Sequence, residues 1–198
     1  MNRKNDNFYN FFALVSIAVI IVSIASIGIK FTGKATDTGV VNVTIETNAA
    51  VNFTTDFINF GSGMVNPGIS NATIYTNGTA KNGNWTAPTI GLILQNIGNK
   101  NITLDLKTGK TAATFLGGSG PSYMFNVSQN KSSSCTNVTF LLDTWYDVNT
   151  TNPGWRVCDV LNYADTLDAI EVDIKLVIPS DSMVGAQTDT FTATATAI

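Results

Sequence analysis

The chain has 198 residues, a formal net charge of −3 and no histidine. Without histidine, Ser-His-Asp and Cys-His catalysis are excluded, and so is the commonest transition-metal ligand. After residue 39 there are seven Lys/Arg against twelve Asp/Glu, a balance that opposes a nucleic-acid partner, since phosphate backbones call for a basic surface.

Residues 1–10 form a short polar leader containing Arg3 and Lys4. Phe11–Ile29 follows, nineteen residues without a charge. At about 1.5 Å per residue, a helix of that length spans roughly 28 Å, close to the hydrocarbon thickness of a bilayer. Two readings stay open. The run is the apolar part of a signal peptide, with Ser23-Ile24-Ala25 as a small-x-small cleavage site, or it is a retained membrane anchor. A type IV pilin precursor is disfavoured, because residues 1–12 hold neither Gly nor Ala and the apolar run has no Glu.

Residues 1–30 are thus a leader and hydrophobic helix, 31–39 (FTGKATDTG) a linker, and 40–198 an exported domain. The domain has strand periodicity almost throughout. Val41, Val43 and Ile45 alternate with polar residues, as do Ile102, Leu104 and Leu106; Val172, Ile174 and Leu176; and Phe191, Ala193, Ala195 and Ala197. Period two with one apolar face predicts strands with one side against a core. Turn signals at Asn66-Pro67-Gly68, Asn77-Gly78, Asn82-Gly83, Gly117–Pro121 and Asn152-Pro153-Gly154 separate them. The expected fold is all-β: an antiparallel β-sandwich, jelly-roll or Ig-like, preceded by one N-terminal hydrophobic helix. Asp159–Ala169 reads either as a helical turn or as a crossing loop.

The two cysteines, Cys135 and Cys158, are expected to form one disulfide in an exported domain. It would close a loop of about 24 residues and contribute roughly 3 kcal/mol. Asn-x-Ser/Thr occurs at Asn42, Asn52, Asn71, Asn77, Asn84, Asn101, Asn126, Asn130, Asn137 and Asn149, about a twofold excess over chance. Where Asn and Thr share the wet face of a strand, as at Asn42 and Asn101, the asparagine is expected to point outward; all ten are candidate glycosylation sites, of which several are expected to be modified, Asn84 the weakest. Asp165, Asp168, Glu171 and Asp173 lack an EF-hand pattern and read as solvated surface charge. Gly117-Gly118-Ser119-Gly120 lacks the Lys-Ser/Thr of a phosphate loop and reads as a flexible turn. Trp85, Trp145 and Trp155 are expected in the core rather than as a carbohydrate platform. No constellation points to catalysis, metal or cofactor, so the expectation is a non-enzyme.

The layout of hydrophobic leader, linker, Phe60-Gly61-Ser62-Gly63, the stretch Leu94–Leu104 and a closing hairpin at Ile178-Pro179-Ser180-Asp181 resembles the TasA/camelysin-like group of exported surface proteins. The resemblance implies a subunit of an extracellular fibre in which a strand of one copy completes the sandwich of the next. It is of the kind found on archaeal and bacterial surfaces. The metallopeptidase class of camelysin is not carried over, since no His-containing motif is present. Val40–Thr47, with Val41, Val43 and Ile45, is the candidate intersubunit strand, because it follows a linker and an unpaired strand is a template for another chain. The expected partners are other copies in a head-to-tail homopolymer, or other surface proteins, and the membrane through the N-terminal helix. The competing class is a monomeric, membrane-anchored binding module or adhesin, told apart by saturable binding to glycans or cells.

Overall fold

Alternation along the segment after the linker becomes two antiparallel sheets in the computed structural model, which describes residues 42–198; Ile45–Ile198 form one compact unit. The apolar run 11–29, the linker 31–39 and Val41 lie outside the described residues. In chain order the strands are β1 (Val51–Thr55), β2 (Asn71–Tyr75), β3 (Ala80–Lys81), β4 (Leu92–Asn96) and β5 (Ile102–Thr108). They continue with β6 (Ser122–Ser128), β7 (Cys135–Thr136), β8 (Tyr146–Asp147), β9 (Trp155–Leu161), β10 (Ala169–Pro179) and β11 (Phe191–Ala197). One short helix, α1 (Ala112–Phe115), lies between β5 and β6 and is closed by a Thr111–Thr114 capping box.

The first sheet is built around β10, the longest strand at 11 residues. Its first half pairs with β4 and its second half with β2 on one side, while β6 runs along the other. β1 lies outside β4, β3 outside β2 and β8 outside β6. Thr76 closes the junction between β4 and β2: its backbone N–H and hydroxyl both engage Ile174, and the hydroxyl also reaches Asp173 at 2.5 Å. The second sheet has the order β11-β5-β9-β7.

Buried side chains from both sheets form one cluster, among them Leu94, Leu104, Phe125, Val157, Ile170 and Val172. Each contributes roughly 1.5–3 kcal/mol relative to exposure. Asn96, 1% exposed, ties the two sheets together. Its Nδ2 donates to the carbonyls of Lys100, Leu161 and Asn162 at 2.9, 3.3 and 3.2 Å, and its Oδ1 accepts from the Gly98 N–H at 3.0 Å.

The strand expected at Val40–Thr47 has no ladder over its described part, and β1 begins only at Val51. The reason lies in the Asn99 turn. Asn99 Oδ1 accepts from the Asn48 N–H at 2.8 Å, and Asn99 Nδ2 donates to the Glu46 carbonyl at 2.8 Å. Backbone bonds reach back to Asn48, whose carbonyl accepts from the Asn99 N–H at 3.1 Å, and the bond to Glu46 is made by the Asn99 side chain. The ambiguous stretch 159–169 resolves as the end of β9, a loop, and the start of β10.

Candidate functional site

Two loops and side chains from both sheets line a cleft of about 1010 Å³. Its floor is apolar: Leu92 from β4, Tyr123 from β6 and Ile174, Leu176 and Ile178 from β10, with Phe53 of β1 and Phe191 of β11 on opposite walls. Such a volume matches the upper end of ordinary binding pockets.

The first wall loop is 56–65. Gly61 adopts φ +68° and takes the Asn59 side-chain oxygen on its N–H at 2.8 Å. Gly63 carries the Trp85 indole so closely that a Cβ there would lie 2.5 Å from ring carbons. Asn84 fixes the far end, its Oδ1 accepting from the Met64 N–H at 2.7 Å. Gly63 is therefore the point at which this loop rests on an indole ring.

The second wall loop is 182–190. It is latched at its start by Asp181, whose carboxylate accepts from the Ser119 N–H at 2.9 Å and the Ser119 hydroxyl at 2.7 Å. These bonds, the backbone N–H foremost, hold the Asp181 carboxyl below the usual carboxylate range. Met183 N–H donates to the Leu116 carbonyl at 2.8 Å. Gly117 and Gly118 have φ of +66° and +75°, and a Cβ on either would collide with Met183 or Asp181. The expectation of a flexible turn at 117–120 is corrected: the glycines let it fit against the latch.

The cleft's wall loops add uncharged polar residues such as Ser182, Gln187 and Thr188, and its only charged lining residues are the acids Asp56 and Asp189. Tyr123 is pushed far up, by burial first and then by the Asp189 charge. The rim exposes Phe57 (73%), Met64 (62%) and Val184 (98%).

The described candidate strand residues, Val43 and Ile45, stand apart from any ladder. Val43 is 80% and Ile45 81% exposed. Cys135 and Cys158 form the expected disulfide, which is buried and joins β7 to β9. Such a bond fits an oxidising compartment. Of the sequon asparagines, Asn42, Asn52, Asn71, Asn77, Asn84 and Asn130 are exposed. Asn101, Asn126, Asn137 and Asn149 are half-buried, so Asn101 faces water only in part. Asn137 is further committed, its Nδ2 donating to the Arg156 carbonyl at 2.7 Å.

Other expectations shift for physical reasons. Asp168 is 1% exposed rather than solvated, and it pairs with Lys131 at 2.5 Å and with Gln95 at 2.8 Å. Glu171 accepts from the Gly91 N–H and Asp173 from the Thr76 hydroxyl, so these acids are spent on separate backbone and side-chain partners. None of the tryptophans is fully buried, although Trp85 packs against the core cluster. Trp85 and Trp145 are half-buried, and Trp155 is 38% exposed at the end of a ring series running Phe125, Phe140, Tyr146, Trp155. The indole N–H of Trp155 donates to the Asp147 carbonyl at 2.9 Å, which holds it at the surface.

Sequence reasoning missed the cleft, because its walls come from residues as distant as Phe53 and Phe191. It also missed Asp105, 4% exposed on β5 and held by Arg156 through two bonds at 2.7 and 3.1 Å. That contact raises the Arg156 guanidinium above its ordinary range. No family model matches the chain, and neither a curated protein nor a solved structure does.

Proposed function

We propose that this protein is a structural subunit of an extracellular filament or cell-surface layer, a β-sandwich that a neighbour completes with a strand. The Val40–Thr47 segment of one copy seats in the cleft of the next, with Val41, Val43 and Ile45 toward the apolar walls. One observation carries the reading: an open apolar cleft of about 1010 Å³ in a chain whose alternating Val43 and Ile45 are left about four-fifths exposed.

Seating each of the three side chains is worth roughly 1.5–3 kcal/mol. Their sum, about 5–9 kcal/mol, is comparable with the 4–15 kcal/mol lost in immobilising a partner. A single junction is therefore weak and a row of them is held by local concentration at the surface. A contact between two different patches does not close on itself and generates an open filament. The apolar run 11–29 holds the chain at the membrane at least before processing, and the resemblance to the TasA/camelysin group points the same way.

Deleting residues 40–47 from the full chain tests this. The expected result is a protein that is still exported, keeps its disulfide, and forms no filaments by electron microscopy. Normal filaments from the deletion sink the proposal. The N-terminal residue of the assembled protein is the companion measurement: a start between Ala25 and Gly39 means that β domains alone hold the filament, and a start at Met1 means a retained anchor.

A further inference from the structure

β11 differs from every other sheet margin among the described residues. β3, β7 and β8 are two residues long, too short to template another chain, and β1 has five with an irregularity at Phe53–Thr55. β11 runs for seven residues, FTATATA, with no charge, no proline and no bulge. Among the described residues it pairs with β5 only. Proteins ordinarily blunt such an edge with a lysine, a proline or a bulge.

The direction of its free backbone groups follows from the ladder. Gly109 N–H donates to the Thr190 carbonyl and Ile198 N–H to the Asn101 carbonyl, at 3.1 and 3.0 Å. These bonds bracket the register Phe191↔Thr108 through Ala197↔Ile102. Hydrogen-bonded and non-hydrogen-bonded pairs alternate in an antiparallel ladder, so Thr192, Thr194 and Thr196 bond to β5. The N–H and C=O groups of Phe191, Ala193, Ala195 and Ala197 then point away from it.

The geometry points to a second copy of this chain on that edge, β11 against β11, antiparallel about a two-fold axis at Thr194. In that register Phe191 faces Ala197 of the partner and Ala193 faces Ala195, so every outward group meets another and about eight backbone bonds form. On the inner face the large ring lies opposite a small side chain. On the outer face threonine lies opposite threonine, a favourable cross-strand pairing with no like charges. Two-fold contacts of this self-complementary kind are the commonest in oligomers. This interface is separate from the cleft, whose lining takes from β11 only Phe191, and it stands whether or not the cleft receives a strand.

The parity gives a sharp test in the full chain at the cell surface. Thr194 is exposed and lies on the axis, at a non-hydrogen-bonded position where partner Cα atoms come to about 4.5 Å, inside the range a disulfide bridges. Because the chain's two cysteines are already joined, Thr194→Cys adds the only free thiol. Mild oxidation is expected to convert it to a disulfide-linked dimer. Adding Ala195→Pro removes an N–H that faces away from β5, so the fold is retained while the edge pairing is lost. Dimer yield is expected to fall at least tenfold with an unchanged unfolding midpoint. A Thr194→Cys chain that stays monomeric overturns the inference. So does a dimer indifferent to Ala195→Pro, or a cross-link that appears only when Val43→Cys is also present.

Discussion

Replacing Asn96 by aspartate leaves the shape of a buried side chain almost unchanged and inverts its hydrogen-bonding role. The amide Nδ2 donates to three carbonyls, and the side chain is 1% exposed. A carboxylate places a negative oxygen against those carbonyls and keeps only the Gly98 N–H as a donor. Burial of this kind raises a carboxyl by several units, up to 3–5. With a rise of about three units at 1.36 kcal/mol each, the charged form costs roughly 4 kcal/mol at pH 7. Because the folded pKa lies above the unfolded value of about 3.9, the cost is small near pH 4 and grows as pH rises toward 7. Lost donor bonds add about 1–2 kcal/mol at either pH. For a domain of this size each kcal/mol shifts Tm by about 2–4 °C. Thermal unfolding of Asn96→Asp should therefore give a Tm roughly 10–20 °C below the parent at pH 7 and about half that deficit or less at pH 4. Equal deficits at the two pH values, or a loss under about 1 kcal/mol at pH 7, would refute the reasoning.

Lys131→Met removes the cation from Asp168 and should cost about 2 kcal/mol, less than a fully buried pair because Lys131 is one-third exposed. Asp168→Asn should cost less, since the freed lysine turns to water; urea midpoints in the reverse order would contradict the burial argument. Gly63→Ala drives a Cβ into the Trp85 ring and should destabilise by about 1–3 kcal/mol, read as a lower Tm with altered indole fluorescence. Serine at both Cys135 and Cys158 should lower stability by roughly 3 kcal/mol, measured by denaturant unfolding. The Asp181 latch, held below the usual carboxylate range, contributes fully above the unfolded value and is lost as pH falls through its lower folded value. Hydrogen exchange at the Ser119 and Met183 amides should accelerate on strong acidification, and protection that persists would count against the latch.

Strands with one wet face were legible because their periodicity is unbroken: 102–106, 172–176 and 191–197 all lie within strands. β9 was not legible. Its register shifts twice against β5, and Val157 and Cys158 are buried in succession, so alternation fails. Val41, Val43 and Ile45 carry the same alternation as β11, but period two reports which side chains share a face and says nothing about whether a partner strand exists. Asp105 and Asp168 look like surface charge because the guanidinium and ammonium that let them be buried lie 51 and 37 residues away. Composition likewise flagged the glycines at 117 and 118 as a turn, while the Met183 and Asp181 side chains that a Cβ there would strike come from elsewhere in the chain.

The two margins of the second sheet are unlike. Opposite β11 lies β7, two residues long and stapled to β9 by the disulfide. With β11 paired as inferred, the long open margin of this sheet among the described residues is used up in both molecules, and the two-residue β7 offers little for a further strand. Any unlimited chain of these subunits must advance through a different contact. The brevity of β7 thus works against sheet extension at that margin and leaves polymer length to be set elsewhere on the molecule.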